Sequence, residues 1–182
     1  MSDEFHVVGT KKLLQSRVFG VEQRTVATGD ITFERDVVTH LGAVAILAIN
    51  DRDEIGMIRQ YRTPFDRFCW ELPAGTLDVP GEDPLGAAQR ELGEELGCVA
   101  SRWKQLGTFM TSPGWSNQLM TIFEARGLTE TSRQPAGPEE AGSTVRWFSR
   151  DELRETLRRE PAVDNTTVVG LGVVYGTFFD DV

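Results

Sequence analysis

The chain has 182 residues, of which 40% are hydrophobic and 26% are charged, and its formal net charge is −9. This length suffices for one sizeable hydrophobic core with a small appended unit. The acidic excess repels nucleic acid and anionic membrane surfaces, so we expect neither as a partner. Divalent cations between local carboxylates and a polyphosphate would still let an acidic protein bind such a substrate.

The cysteines and the hydropathy pattern bear on where the protein works. Cys69 and Cys98 are too few for a disulfide framework, and they lack metal-site spacing. The sequence has no recognisable secretory signal, and its apolar stretches are shorter than the roughly 20 residues of a membrane span. We therefore expect a cytoplasmic protein.

The first third of the chain alternates apolar stretches with turn signals. Residues 5–33 include the turn Thr28-Gly29-Asp30 and predict two or three antiparallel strands. Residues 43–50 are nearly continuously apolar and, with residues 55–58, predict a buried hairpin of the central sheet. We expect residues 1–41 to form an N-terminal β subdomain and residues 42–182 to form the main domain.

A helix is predicted over residues 84–96. Asp83 followed by Pro84 is a typical helix start, and Gly97 is a typical stop. A rotation of about 100° per residue gathers one apolar stripe, predicted to be buried, and one acidic group beside it. The stripe comprises Leu85, Ala88, Leu92 and Leu96, and the acidic group comprises Glu91, Glu94 and Glu95.

The remaining residues predict further strands and one more helix. Strands are expected at residues 103–109, 119–125 and 144–148, a loop at 129–142 and a helix at 150–159. The last apolar segment, residues 163–178, contains Gly170, Gly172 and Gly176, which weaken a helix prediction there.

The acidic group on the predicted helix has two explanations. Carboxylates at positions i, i+3 and i+4 repel one another, and a hard divalent cation would remove that repulsion. Arg90 lies four residues before Glu94 and can pair with it, which would leave Glu91 and Glu95 free for metal. Most acidic clusters on helices are simply solvated. The choice between a metal site and a solvated surface therefore depends on the surrounding sequence.

The wider sequence around the helix carries a motif. It reads Gly75, six residues, Glu82, seven residues and then Arg90-Glu91-Leu92-Gly93-Glu94-Glu95-Leu96-Gly97-Cys98. This resembles the Nudix box, G-x5-E-x7-R-E-U-x-E-E-x-G-U with U apolar, except for one extra residue after Gly75. The resemblance covers residues 42–148. It implies an α+β Nudix fold, in which helices sandwich a mixed β-sheet and a loop-helix-loop motif is catalytic.

The resemblance also implies roles for the motif residues. It implies that Glu91 and Glu95 ligate Mg²⁺, with Mn²⁺ as a substitute ion, and that the Ala74 carbonyl is a further ligand. Glu94 is either an auxiliary ligand with a catalytic role or the partner of Arg90. Gly75, Glu82, Arg90 and Gly97 match the structural positions of the box. The implied reaction is hydrolysis of a phosphoanhydride by water.

A catalytic base is implied in a loop beyond the box. Glu139 and Glu140 lie in a Pro/Gly-rich stretch just before a predicted strand, and Glu139 is narrowly preferred. The alternative, that both are solvated loop carboxylates, stays open.

Other residues resemble the ADP-ribose pyrophosphatase branch of the family. They are the stretch Trp70 to Gly75, the triplet Ser112-Pro113-Gly114 with Pro113 16 residues beyond Gly97, and Gln60-Tyr61-Arg62. Substrate binding is expected at Arg62, Arg59, Ser112, Pro113 and Gly114, because a guanidinium can hold two phosphate oxygens at once. The branch resemblance implies a homodimer formed through the N-terminal subdomain.

Three candidate functions are compatible with this sequence. The first is Mg²⁺-dependent cleavage of ADP-ribose to AMP and ribose 5-phosphate. The second is hydrolysis of another nucleoside diphosphate sugar or of a nucleoside triphosphate. The third is a catalytically silent module that senses ADP-ribose, which the intact carboxylate group argues against.

Overall fold

Three β-sheets and four α-helices build the chain in the computed structural model, which describes residues 4–176 apart from the side chains of residues 138 and 139. The strands are β1 (His6–Gln15), β2 (Phe19–Thr28), β3 (Ile31–His40), β4 (Ala43–Ala48), β5 (Ile55–Arg62), β6 (Arg67–Glu71), β7 (Ala74–Thr76), β8 (Cys98–Met110), β9 (Leu119–Glu130) and β10 (Thr144–Phe148). The helices are α1 (Pro84–Glu91), continued by a π-helical turn (Leu92–Leu96), α2 (Pro138–Ala141), α3 (Arg150–Arg158) and α4 (Asn165–Tyr175).

The N-terminal strands form a sheet of their own. Its order is β1-β2-β3, and all pairings are antiparallel, which confirms the strands predicted in residues 5–33. Two irregularities in the edge strand β1 leave Val8 and Leu13 without a register partner on β2. The far end of β3 joins the rest of the protein, because the Val38 N–H donates to the Trp115 carbonyl over 2.8 Å.

The second sheet is mixed and has the order β7-β4-β9-β8. Strands β4 and β9 are parallel, whereas β7 and β8 are antiparallel to their neighbours. The third sheet, β10-β5-β6, is antiparallel.

The predicted hairpin of residues 43–50 and 55–58 is wrong. Strands β4 and β5 are consecutive, but they share one bridge, between Ile49 and Ile55, and then continue in different sheets. All six residues of β4 and the first four of β5 are buried. Each strand therefore needs cover on both faces, and two separate sheets with helices between and around them supply it.

Helices cover both faces of the mixed sheet. Alternate residues of β4, Val44 and Ile46, pack in one cluster with Ala88 of α1 and Leu92 of the π-helical turn. On the opposite face, Leu47 clusters with residues of α3 and α4. This alternation confirms the predicted α+β architecture with a mixed sheet between helices.

The helix predicted over residues 84–96 is present, with its last turn in the π conformation. The Asp83 carboxylate accepts a hydrogen bond of 2.7 Å from the Gly86 N–H, and Gly97 ends the helix with a φ of 65°. Ala88, Leu92 and Leu96 are buried as predicted. Leu85 is exposed instead, and Ala87 takes its place against the sheet.

The C-terminal half follows the predicted order of elements. The three predicted strands are present, although β8 and β9 run further than expected, and the predicted loop after β9 contains the short helix α2. A capping box at Ser149 and Glu152 starts α3. Within residues 4–176, no helix is both long and apolar enough to cross a membrane.

The last apolar segment forms helix α4 in spite of its glycines. The Asp164 carboxylate caps it by accepting the Thr167 N–H over 2.8 Å. Gly170 is buried, and a Cβ there would come within 2.8 Å of Leu72 Cδ1. Close packing on the core therefore explains this glycine and outweighs its low helix propensity. Residues 177 and 178 of the predicted segment lie outside the described residues.

Candidate active site

A cleft of about 460 Å³ opens beside α1 and its π-helical turn. It collects residues from the β1–β2 turn, from β5 and β7, from the end of α1 with its π-helical turn, and from the segment around α2. Its lining includes Arg17, Val18, Gln60, Arg62, Ala74, Gly75, Thr76, Asp78, Arg90, Glu91, Glu94, Glu95, Ala136, Gly137 and Glu140. Distant parts of the sequence therefore meet at the predicted motif.

Two glutamates of the motif are buried at the cleft wall. Glu91 is 5% exposed and Glu95 is 2% exposed. Helical spacing carries both toward strand β7, where the Ala74 N–H donates a hydrogen bond of 2.8 Å to Glu95 Oε2. Buried carboxylates are rare unless they are paired or bind a cation, so their burial here calls for a chemical reason.

Burial disturbs the protonation of both glutamates. It raises the pKa of Glu91 to about 7 and the pKa of Glu95 to about 8, because the charged carboxylate loses water. The charge of Glu140 also raises the pKa of each. A divalent cation would favour the charged forms and so reverse this direction.

Arg90 connects three glutamates, one of which is Glu91. Its Nε and Nη2 atoms donate to the two oxygens of Glu82 over 3.1 Å each. Its Nη1 atom donates to Glu91 over 2.7 Å and to Glu94 over 3.1 Å. Arg90 therefore ties the loop before the helix to the helix itself, which fits the structural role predicted for Arg90 and Glu82.

Gly75 makes room for the Glu91 carboxylate. A Cβ at this position would overlap the Glu91 side chain. The glycine that opens the motif thus allows strand β7 to approach the helix closely.

The donor set suits a hard divalent ion. Glu91, Glu94, Glu95 and Ala74 all line the cleft, and carboxylate and carbonyl oxygens are the ligands that Mg²⁺ and Mn²⁺ accept. In the described part of the chain, however, no three Asp, Glu, His or Cys side chains are grouped closely enough to hold an ion as they stand. Arg90 and the Ala74 N–H occupy carboxylate oxygens that ion binding would have to release.

Of the two predicted bases, Glu140 lies in the cleft. Its Oε2 atom accepts a hydrogen bond of 2.7 Å from the Ala136 N–H, which fixes the carboxylate near the start of α2. The side chain of Glu139 lies outside the described residues, so its predicted role stays a prediction.

The two predicted phosphate-binding arginines differ in position. Arg62 lines the cleft, where its Nε donates to Glu71 Oε1 over 2.9 Å. Arg59 is exposed outside the cleft lining, and its guanidinium lies 4.9 Å from the centre of the Phe68 ring.

Ser112, Pro113 and Gly114 lie in the turn between β8 and β9, away from the lining of this cleft. The same turn is attached to β3, since the Asn117 N–H donates to the Val38 carbonyl over 3.1 Å. Their role in substrate binding remains a prediction.

Sequence reasoning did not assign several residues that the fold brings into the cleft, notably Arg17, Gln60 and Asp78. Gln60 is buried on β5 although it is polar, and Arg17 comes from a turn 58 residues before Gly75, where the motif begins. No local pattern marks Arg17, and the stretch Gln60-Tyr61-Arg62 indicated the branch without assigning Gln60 a place in the site; the packing of the N-terminal sheet and of β5 brings both residues to the motif.

Comparisons with known proteins agree with this geometry. The family model described as the NUDIX domain matches residues 39–166. An ADP-ribose pyrophosphatase of Mycobacterium tuberculosis is 38% identical over 94% of this chain and 84% of its own length. A methanol dehydrogenase activator of Bacillus methanolicus is 31% identical over 92% of this chain and 91% of its own.

Similarity of the fold extends to a solved structure. A crystal structure of an ADP compounds hydrolase superposes with a TM-score of 0.82 at 22% identity, covering 97% of this chain and 95% of its own. At that identity the match supports the fold alone. The family model, the relatives and the buried glutamates of the motif confirm the predicted resemblance: the chain belongs to the Nudix hydrolase family.

Proposed function

We propose that this protein is a Mg²⁺-dependent pyrophosphohydrolase that cleaves ADP-ribose to AMP and ribose 5-phosphate. The observation that carries the proposal is the pair of buried carboxylates, Glu91 and Glu95, at the wall of an open cleft. The ADP-ribose pyrophosphatase of M. tuberculosis, similar over most of this chain, supports the choice of substrate.

Glu91 and Glu95 would hold the divalent cation, with Glu94 and the Ala74 carbonyl as further ligands. Mg²⁺ is the first choice for an all-oxygen donor set, and Mn²⁺ accepts the same ligands. When bound, the ion neutralises phosphate oxygens and lowers the pKa of the attacking water. Before an ion binds, Arg90 holds the Glu91 carboxylate at the cleft wall through its 2.7 Å hydrogen bond, and ion binding would release that bond.

Glu140 is the proposed general base. It lines the same cleft, and its charge acts on both Glu91 and Glu95. Glu140 takes the proton of a water whose oxygen bonds to a phosphorus of the diphosphate, while the bridging P–O bond breaks and the leaving phosphate keeps the electron pair. Because that leaving group is a phosphate, a separate general acid is not required.

The choice between the two loop glutamates is tested by substitution. We expect Glu140→Gln to lower kcat by about 10²- to 10⁴-fold with little change in KM, since a positioned base contributes about that much. The neighbouring variant Glu139→Gln serves as the matched control. A larger loss of kcat in Glu139→Gln than in Glu140→Gln would identify Glu139 as the general base.

We also propose a homodimer that forms through the N-terminal sheet. Several apolar side chains of this sheet are exposed, namely Val7, Val8, Leu13, Leu14 and Ile31. Exposed apolar groups on one small sheet are typical of a surface that a protein partner covers.

The substrate is tested by product analysis. The protein is incubated with ADP-ribose, ADP-glucose, NADH and several nucleoside triphosphates, each with Mg²⁺ or with EDTA, and the products are separated by chromatography. We expect ADP-ribose to give AMP fastest and only with Mg²⁺. If another compound is cleaved faster, that compound is the substrate and ADP-ribose is not. Binding of ADP-ribose without any turnover would favour a sensing module.

A further inference from the structure

Three arginines line the catalytic cleft, and their charges are used differently. Arg90 binds Glu82, Glu91 and Glu94. Arg62 forms an ion pair with Glu71 that uses both its Nε and Nη2 atoms. Arg17, by contrast, has no hydrogen-bonding or ion-pair partner among the side chains and backbone atoms that the structure describes.

The backbone around Arg17 is held in place although its side chain is unpaired. The Ser16 Oγ atom accepts hydrogen bonds from the Val18 N–H over 3.3 Å and from the Phe19 N–H over 3.5 Å. The Ser16 N–H donates to the Phe19 carbonyl over 2.8 Å. The turn between β1 and β2 therefore presents Arg17 at a fixed place.

That place is the boundary of two cavities. Arg17 and Val18 line the cleft that holds the motif glutamates, and they also line an adjoining pocket of about 190 Å³ next to Thr39 and His40. A diphosphate in the cleft with a substituent extending into the adjoining pocket would pass Arg17.

The charge balance of the cleft favours a phosphate contact there. Glu91, Glu94, Glu95 and Glu140 all line it, and Arg62 and Arg90 are already paired with carboxylates. A diphosphate that enters this cleft binds most favourably to an arginine whose guanidinium is not already paired, because no existing ion pair with a carboxylate has to be broken.

We propose that Arg17 binds the diphosphate of the substrate, so that the N-terminal sheet supplies part of the active site. This inference rests on the proposed function, because it requires a diphosphate substrate in the cleft. Arg17 lines the cleft because the β1–β2 turn packs beside it in the folded protein.

Two substitutions at the same position test the inference. Loss of charge-assisted hydrogen bonds lowers kcat/KM for ADP-ribose about 10- to 100-fold in Arg17→Ala, mainly through KM. Arg17→Lys recovers part of this loss, since it keeps the charge but not the planar fork. Arg102→Ala, which removes the same charge from an exposed position of β8, keeps the parent value.

Binding is measured separately from turnover. A methylene analogue of ADP-ribose that cannot be hydrolysed is titrated into each variant by calorimetry with Mg²⁺, and thermal unfolding checks that the variants are folded. We expect the affinity of Arg17→Ala to fall by the same factor as kcat/KM. An Arg17→Ala variant within twofold of the parent in both measurements would overturn the inference.

The controls separate this inference from the proposed function. If the parent neither binds the analogue nor cleaves ADP-ribose, the substrate proposal fails. In that case the same variants, assayed on whichever diphosphate the parent cleaves, decide the role of Arg17.

Discussion

Glu91 and Glu95 are the residues whose environment is hardest to explain by folding alone. Each is buried, and each has its pKa raised by the loss of water. Replacing two such carboxylates by apolar residues would favour stability, so their presence is better explained by binding of a cation than by packing. A stability cost at a functional site is a common arrangement.

This cost leads to a pH prediction for the metal-free protein. Because the folded-state pKa values, about 7 and about 8, lie above the unfolded value near 4.5, the folded state holds these protons more tightly. The associated stability is fully present below about pH 4.5 and is lost as the pH rises through 7 and 8. We expect the free energy of unfolding in EDTA to fall from pH 5.5 to 8.5 by on the order of a few kcal/mol.

Urea denaturation at several pH values measures this dependence. Glu95→Gln should show a shallower fall than the parent, because one of the two titrating groups is gone. Glu155→Gln removes an exposed carboxylate of α3 and should leave the slope unchanged. Equal slopes for Glu95→Gln and the parent would contradict the assignment of raised pKa values.

Sequence patterns predicted the motif residues of the site, together with Arg62 and Glu140, but they did not predict every residue that lines the cleft. Glu91, Glu94 and Glu95 share a helix, so their spacing alone placed them together. Arg17 and Gln60 reach the same cleft from β1–β2 and β5, and pairing between distant strands leaves no trace in local periodicity. Residues that only tertiary packing brings to the cleft were therefore not predictable, because the spacing of side chains along the sequence describes one helix or strand at a time.

For strands and helices, the sequence predicted what local signals determine and failed where tertiary packing decides the outcome. Strand β10 was predicted with its exact bounds because a turn-rich segment and a helix cap flank it. The pairing of β4 with β5 was wrong, since continuous apolar runs do not state which neighbour a strand chooses. Helix α4 formed where glycines argued against it, because core packing outweighs propensity.

Two glycines of α4 separate packing from propensity. Among the residues that the structure describes, nothing lies within 4 Å of the position that a Cβ of Gly172 would take, so Gly172→Ala should raise the free energy of unfolding by about 0.5–1 kcal/mol. At Gly170 the added methyl group would press on Leu72, and overpacking of this kind costs about 1–3 kcal/mol.

Denaturant unfolding of both variants measures the contrast. The expected order of stability is Gly172→Ala, then the parent, then Gly170→Ala. A Gly170→Ala protein as stable as Gly172→Ala would show that α4 can move away from the core, contrary to the packing described here.

For the whole molecule, the N-terminal sheet is the part whose role depends most on assembly. Val8 and Leu13 lie at the two irregularities of the edge strand β1, and they are 54% and 48% exposed. We expect a dimer of twice the chain mass of 20.3 kDa, which a charge at either position would weaken.

Light scattering after size-exclusion chromatography measures this assembly. Val8→Asp and Leu13→Asp should shift the dimer to monomer at micromolar concentration. Lys104→Asp, at an exposed position of β8, is the charge-changing control and should remain a dimer. Parent protein that runs as a monomer, or aspartate variants that stay dimeric, would refute the proposed interface.

We have proposed that the buried glutamates of the motif make the cleft a metal-dependent hydrolase site. The decisive measurement is the rate of AMP release from ADP-ribose at saturating Mg²⁺ for the parent and for Glu95→Gln, with thermal unfolding of both. We predict rapid Mg²⁺-dependent release by the parent and a fall of at least about 10²-fold in the folded variant. A folded Glu95→Gln protein that keeps the parent rate would show that Glu95 does not hold the catalytic metal ion.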